Sequence, residues 1–129
     1  MLPGTKPADV ERALVGVLGD TAIHLKAAPR PSAGPSPVSP EMMATIERVT
    51  AQVFGDGVPV IPMMNAGATD AVFLRAVGIP TYGITGLFTD PDDVRIHGKD
   101  ERVTVKSFFQ AQEFHRRLMG ALAGSVPPT

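Results

Sequence analysis

The sequence contains no cysteine and no tryptophan, and only one of its 129 residues is a tyrosine. The absence of cysteine excludes disulfides, thiol nucleophiles and cysteine-ligated zinc, so any metal must be held by histidine and carboxylate side chains. Aromatic residues make up only 5% of the chain, so a core must be built mainly from aliphatic residues, methionine and phenylalanine. The composition favours a cytoplasmic protein, although it is also compatible with the periplasm.

Strong net charge and long apolar runs are also missing. Twelve Lys and Arg residues against thirteen Asp and Glu residues give a net charge of −1, which supplies no long-range field for nucleic acid or an anionic membrane. No apolar run approaches the roughly 20 residues of a membrane-spanning helix. Residues 1–7 lack the apolar segment of a signal peptide. We therefore expect a globular chain that binds neither nucleic acid nor a membrane.

Four segments carry apolar residues at helical spacing between recognisable start and stop residues. Serine or threonine stands at the N-cap position of two of them, and glycine closes two others. The predicted helices are residues 8–18, closed by Gly19; residues 40–54, capped by Ser39; residues 71–77, closed by Gly78; and residues 104–122, opened by Thr104.

Short strands are predicted between these helices, at residues 21–27, 58–64 and 79–85. A stretch rich in Pro, Ser and Gly, residues 29–40, can neither pair in a sheet nor continue a helix, so it predicts an extended connector between two structural units. A motif for proline-binding modules is the alternative reading of this stretch. Helices alternating with strands after residue 40 predict an α/β unit with some parallel pairing.

The turn formed by Gly67, Ala68, Thr69 and Asp70 is the first candidate site. It joins a predicted strand to a predicted helix, and a helix N-terminus offers backbone N–H groups and a positive dipole end to a carboxylate. Thr69 adds a hydroxyl. The alternative is an N-cap that serves only the helix.

The turn around His97 is the second candidate, because an imidazole lies there in a glycine-flanked, charge-dense segment. Gly98 allows a sharp turn, and Asp100 and Glu101 can accept a hydrogen bond from the ring and so fix its tautomer. The alternative is a solvated loop histidine. The other two histidines are interpreted as exposed residues, and no metalloprotease helix motif, phosphate loop or nucleophile elbow is present.

Taken in order, several motifs resemble the C-terminal part of the zinc exopeptidases that include aminoacylase, carboxypeptidase G, carnosinase and acetylornithine deacetylase (peptidase family M20). The resemblance covers most of the chain and is sharpest from residue 59 to about residue 122. The motifs are Pro59-Val60-Ile61-Pro62, Gly67-Ala68-Thr69-Asp70-Ala71, residues 74–83 and His97-Gly98-Lys99-Asp100-Glu101-Arg102-Val103.

The resemblance implies a phosphorylase/hydrolase-like catalytic domain, with helices packed on a largely parallel sheet, and a smaller α+β lid domain that mediates dimerisation. Residues 1–28 then correspond to the last helix and strand of the lid, residues 29–40 to the connector, and residues 41–129 to the C-terminal part of the catalytic domain. The expected activity is hydrolysis of an amide or peptide bond in a dipeptide or N-acyl amino acid by a metal-activated water.

By position, the resemblance assigns His97 as a zinc ligand and Gly67 to Asp70 as the loop near the substrate's carboxylate. Glu101 is predicted, from its place in the same turn, to orient the His97 ring. The general-base glutamate and the other ligands of the two-zinc centre match no residue here, so we expect this chain alone to be inactive and to hold zinc only weakly. The alternative is a small free-standing α/β binding or assembly module without catalysis. Exposed edges would make either protein a possible homo-oligomer.

Overall fold

The structure is a computed structural model, which describes residues 5–20, 22–26, 31, 33–64 and 67–124. Helices are the only regular secondary structure in these ranges. They are α1 (Pro7–Leu18), α2 (Pro40–Phe54), α3 (Ala71–Ala76) and α4 (Val105–Ala123), with one 3₁₀ turn at Pro91–Asp93 between α3 and α4. None of the described helices is long and apolar enough to cross a membrane.

The local signals at the helix ends act as the sequence predicts. Gly19 closes α1 in the left-handed conformation, with φ of 61°, which costs glycine little because it has no Cβ. The Ser39 hydroxyl accepts a hydrogen bond from the backbone N–H of Met42 at 3.3 Å. The Thr104 hydroxyl accepts one from the N–H of Ser107 at 3.2 Å. The bounds of all four helices agree with the predicted ones within one or two residues, so these four predictions are confirmed.

The predicted α/β fold with a largely parallel sheet is wrong. Residues 58–64 and 79–85 run without helix, but neither forms a strand, and the same holds for residues 22–26 of the first predicted strand. Thr21 and Ala27, the ends of that strand, lie outside the described residues, as does part of the connector. A strand exists only through hydrogen bonds to a neighbouring strand, and the described parts of the chain supply no such neighbour for these segments.

Contacts divide the chain into two units, composed of residues 1–37 with 64–82 and residues 38–63 with 83–129. In the first unit, the Ser36 hydroxyl donates to the Thr81 carbonyl at 2.9 Å and accepts from the Thr81 N–H at 2.8 Å. The Tyr82 hydroxyl donates to the Pro37 carbonyl at 2.8 Å. The end of the Pro-rich segment is therefore bound to residues 81–82.

The second unit is built on α2 and α4, which pack against each other. Their facing side chains form the buried cluster of Ile46, Val49, Phe114 and Leu118. The ring of Phe54 lies 5.7 Å from that of Phe114, between centroids, and extends this cluster. Burial of these side chains is the main favourable contribution to stability, at roughly 1.5–3 kcal/mol for each fully buried large one.

The segment before the 3₁₀ turn is fixed to α4 by a buried hydroxyl. Ser107 is 5% exposed, and its Oγ donates to the Phe88 carbonyl at 2.6 Å and accepts from the Phe88 N–H at 2.9 Å. Both backbone groups of Phe88 are thus satisfied without a sheet. This pairing sets where the chain enters the turn that carries His97.

Candidate functional site

His97 lies at the tip of an exposed turn between the 3₁₀ turn and α4. It is the only described residue other than glycine with positive φ, at 62°. Histidine tolerates this left-handed conformation better than most residues, yet such positions often coincide with functional sites. The turn is closed by a hydrogen bond from the Gly98 N–H to the Arg95 carbonyl at 2.9 Å. A Cβ on residue 98 would lie 3.1 Å from the same oxygen, a tight contact that favours glycine there.

Two ion pairs on Asp93 hold this turn from both sides. Arg102 donates to Asp93 Oδ2 through Nε at 2.9 Å and through Nη2 at 2.7 Å, and Arg95 Nε donates to Asp93 Oδ1. Arg95 Nη1 also approaches Asp100 Oδ2 at 3.5 Å. Hydrogen bonds from Arg95 and then Arg102 lower the pKa of Asp93 below its ordinary value of 3.8. The carboxylate therefore stays charged and keeps the ends of the turn together.

The donors around His97 do not make a zinc site in the described part of the chain. No group of three His, Asp or Glu side chains gathers there, whereas a catalytic zinc ion takes three protein ligands and an open position. Asp93 and Asp100 are held by arginine. In the described chain, no hydrogen bond joins Glu101 to the His97 ring, so its orienting role stays a prediction. What the turn offers a metal is a single exposed imidazole.

The loop of Gly67, Ala68, Thr69 and Asp70 is exposed and precedes α3 in the first unit. The Thr69 hydroxyl accepts a hydrogen bond from the Ala71 N–H at 3.3 Å, and the Asp70 side chain makes no cap bond to the helix. This is the local arrangement of the capping alternative, and it leaves the carboxylate of Asp70 facing solvent. The substrate-binding role of the loop stays a prediction.

His115, interpreted from the sequence as a surface residue, has two acceptors. Its Nδ1 lies 2.8 Å from the Ala111 carbonyl and its Nε2 lies 3.2 Å from the Ile84 carbonyl. A neutral imidazole has one N–H and an imidazolium has two, so both contacts are hydrogen bonds only in the charged form. His115 also lines an open groove of about 690 Å³ whose walls are mostly apolar, and His97 is not among the residues that line it.

The sequence analysis also did not identify the roles of Arg95, Arg102 and Ser107. A sequence signal for Arg95 and Arg102 was present, since groups of acidic and basic residues follow one another from Asp92 to Arg102, and such groups can form ion pairs across a turn. Which carboxylate pairs with which arginine depends on the path of the turn, which the sequence does not specify. No local signal distinguishes Ser107 from an ordinary helical serine.

The His97 turn presents one imidazole between ion pairs. This arrangement is compatible with a metal-dependent hydrolase whose metal site includes residues other than those of this turn. The comparison with known families is specific on this point. A model of peptidase family M20/M25/M40 matches residues 8–121, which is most of the chain, and the chain belongs to this family. The predicted family membership is confirmed, and peptidases of this family are generally metal-dependent.

Individual relatives match a shorter stretch. The chain is 39% identical over 66 residues to aminoacylase-1 of Pongo abelii and 38% identical over 66 residues to aminoacylase-1 of Homo sapiens. Aminoacylase-1A of Rattus norvegicus matches at 38% over the same length. In each case the match covers 51% of this chain and 15% of the relative. No solved structure matches the chain.

Proposed function

We propose that this chain is the C-terminal part of a zinc-dependent amide or peptide hydrolase, and that it is inactive alone. The observation that carries the proposal is the family match over residues 8–121, which contains the His97 turn, together with the 15% of each aminoacylase that the matching segment spans. The substrate class is dipeptides or N-acyl amino acids, and the protein acts in the cytoplasm.

Within that enzyme, His97 supplies one zinc ligand and Glu101 orients its ring. The ion pairs of Asp93 with Arg95 and Arg102 set the position of the imidazole before the metal arrives, which lowers the cost of ordering the ligand. The loop from Gly67 to Asp70 lies near the carboxylate of the substrate. Residues 1–28 are the end of a lid domain that mediates dimerisation, and residues 41–129 belong to the catalytic domain.

This chain alone is expected not to catalyse the hydrolysis, because one imidazole provides neither a complete metal site nor a general base. The first experiment follows from this. The 129-residue chain is incubated with zinc and with N-acetyl amino acids or dipeptides, beside His97→Ala and a matched control, His24→Ala. We expect no turnover from any of the three. Turnover that is lost in His97→Ala and kept in His24→Ala would show a complete site and contradict the proposal.

A second experiment tests the role of His97 directly. The reading frame upstream of residue 1 is expected to encode a His-x-Asp pair and a Glu-Glu pair, and its product is expressed together with this chain as one protein. Its zinc content is expected to fall in His97→Ala and to stay unchanged in His24→Ala. An upstream frame without those pairs contradicts the proposal.

A free-standing assembly module is the second candidate, and a specific observation favours it. Among the described residues, only five hydrophobic side chains are buried, while large apolar side chains such as Val17, Met63, Phe109 and Met119 are more than half exposed. Exposed apolar surface of this kind favours association. Sedimentation at several protein concentrations tests this candidate: a stable homo-oligomer that neither binds zinc nor gains activity in the longer protein would replace the enzymatic proposal.

A further inference from the structure

α4 carries two separate rows of side chains. The row that is buried in the second unit consists of Ser107, Ala111, Phe114 and Leu118. The other row, which we call the outer row, has members alternately three and four residues apart: Val105, Phe108, Gln112, His115, Met119 and Leu122. With 3.6 residues per turn, the centre of the outer row lies about 100° around the helix from the buried row. The two rows therefore occupy different faces of α4.

The outer row is exposed along its whole length. Its four apolar side chains are between 47% and 72% exposed, and its two polar ones are exposed as well. The open groove of about 690 Å³ follows the middle of the row, where Phe108, Gln112 and His115 form part of its wall, and Ile84 and Leu87 add apolar surface. A continuous apolar row, unlike scattered apolar side chains, marks an interaction surface.

The spacing of the outer row indicates that its partner is a helix. Alternate steps of three and four residues keep side chains facing a neighbouring helix over several turns, as in a coiled coil. We propose that the neighbour is α4 of a second copy of this chain, which packs on the outer row in the antiparallel direction around a twofold axis. This contact lies within the second unit and uses no property of the His97 turn, so it is independent of the zinc role proposed above.

The outer row is complementary to itself in this arrangement. Across a twofold axis, residue i of one copy contacts residue j of the other, and residue j contacts residue i. An axis midway between residues 112 and 115 gives three kinds of pair: Val105 with Leu122, Phe108 with Met119, and Gln112 with His115. Apolar side chains thus meet apolar ones, and the polar pair lies at the centre, where a hydrogen bond between amide and imidazole offsets their desolvation.

A residue beside the row favours the antiparallel direction. Phe109 is 61% exposed, and the same axis brings its ring near Arg116 of the second copy, where a guanidinium can stack on an aromatic face. A parallel pair would instead align identical residues, with His115 on His115, and would separate Phe109 from Arg116. The antiparallel pair is therefore the arrangement that matches the side chains on α4.

Cross-linking tests the direction of the pair, because the chain contains no cysteine of its own. Val105→Cys and Leu122→Cys are purified separately and oxidised alone and as a mixture. We expect disulfide dimers from the mixture and few from either variant alone, since the antiparallel pair holds two copies of the same position roughly 25 Å apart along the helix. Equal cross-linking by the variants alone, or none in the mixture, overturns the proposal.

Sedimentation at several protein concentrations tests the surface itself. We expect a monomer–dimer equilibrium for the wild type. Met119→Glu places a carboxylate against an apolar partner and is expected to weaken the dimer at least about tenfold. Met63→Glu is the matched control, since Met63 is 86% exposed and lies outside the row, and it is expected to associate as the wild type does. Far-ultraviolet circular dichroism checks that both variants keep their helices.

Three outcomes contradict the proposal. A wild-type chain that stays monomeric at every concentration leaves the outer row to a different partner. An assembly larger than a dimer requires a surface other than this one. Equal effects of Met119→Glu and Met63→Glu would show that the outer row is not the site of association.

Discussion

Gly86 lies against the buried ring of Phe114, and replacing it with alanine is expected to destabilise the second unit strongly. A Cβ at residue 86 would lie 2.5 Å from Phe114 Cδ1 and 2.8 Å from Cγ, distances that real Cβ contacts do not show. Phe114 is 2% exposed and packs between α2 and α4, so its ring has little room to retreat. Gly86 also has φ of +58°, a conformation that favours glycine.

The two effects have separate magnitudes. Forcing a methyl group into a packed core costs roughly 1–3 kcal/mol, and holding a non-glycine residue in the left-handed region costs roughly 1–2 kcal/mol. Their sum, roughly 2–5 kcal/mol, is a large part of the 5–15 kcal/mol by which ordinary domains are stable. Gly83→Ala is the matched control, since its Cβ meets nothing within 4 Å and its φ is not positive. We expect it to change stability by no more than about 0.5 kcal/mol.

The assay is urea unfolding followed by far-ultraviolet circular dichroism, which reports on the helices. A third variant, Phe114→Leu, separates the two causes, because removing the ring leaves space for the new methyl group. The cost of Gly86→Ala is expected to fall by roughly 1–3 kcal/mol in the Phe114→Leu background. Equal unfolding midpoints for Gly86→Ala and Gly83→Ala would refute the packing of residue 86 on Phe114.

Two further predictions concern polar contacts of α4. Hydrogen bonds from Arg116 and Arg117 hold the pKa of Glu113 at about 2, below its ordinary 4.5. Because this pKa is lower in the folded state, the charged carboxylate contributes its full stabilisation to the fold above about pH 4.5, and this contribution is lost as the pH falls through about 2. Glu113→Gln is therefore expected to reduce the loss of stability in that window, and a Glu113 carboxyl that titrates near 4.5 by NMR would contradict this. Ser107→Ala leaves both backbone groups of Phe88 without their partner, so the free energy of unfolding is expected to fall by about 1–3 kcal/mol, whereas an unchanged value in urea unfolding would show that water replaces the hydroxyl.

The helices of this chain were predictable because their signals are local. Ser39 and Thr104 bond the first turn of the helix that follows them, and Gly19 needs only its own backbone freedom. The predicted strands were wrong because a strand forms only through hydrogen bonds to a neighbouring strand. Residues 79–85 have the right composition, yet their backbone contacts go to Ser36 and His115.

In the candidate site, too, local features were predictable from the sequence and features that depend on the path of the chain were not. That His97 stands in a sharp turn follows from the neighbouring glycine and the dense charges, and the structure places it there with positive φ. That Asp93 is the carboxylate that gathers Arg95 and Arg102 depends on how the turn folds back on itself. Spacing along the sequence favoured Asp100 and Glu101, which are nearer to the histidine, because spacing contains no information about that path.

The zinc content of the longer protein bears most directly on the role proposed for His97. The product of the extended reading frame is purified as wild type, His97→Ala and His24→Ala, and its zinc is measured by atomic absorption beside its hydrolysis of N-acetyl amino acids. We expect the wild type and His24→Ala to share one zinc content and activity, and His97→Ala to lose zinc and turnover together. Unchanged zinc and turnover in His97→Ala would contradict the assignment of this imidazole as a ligand.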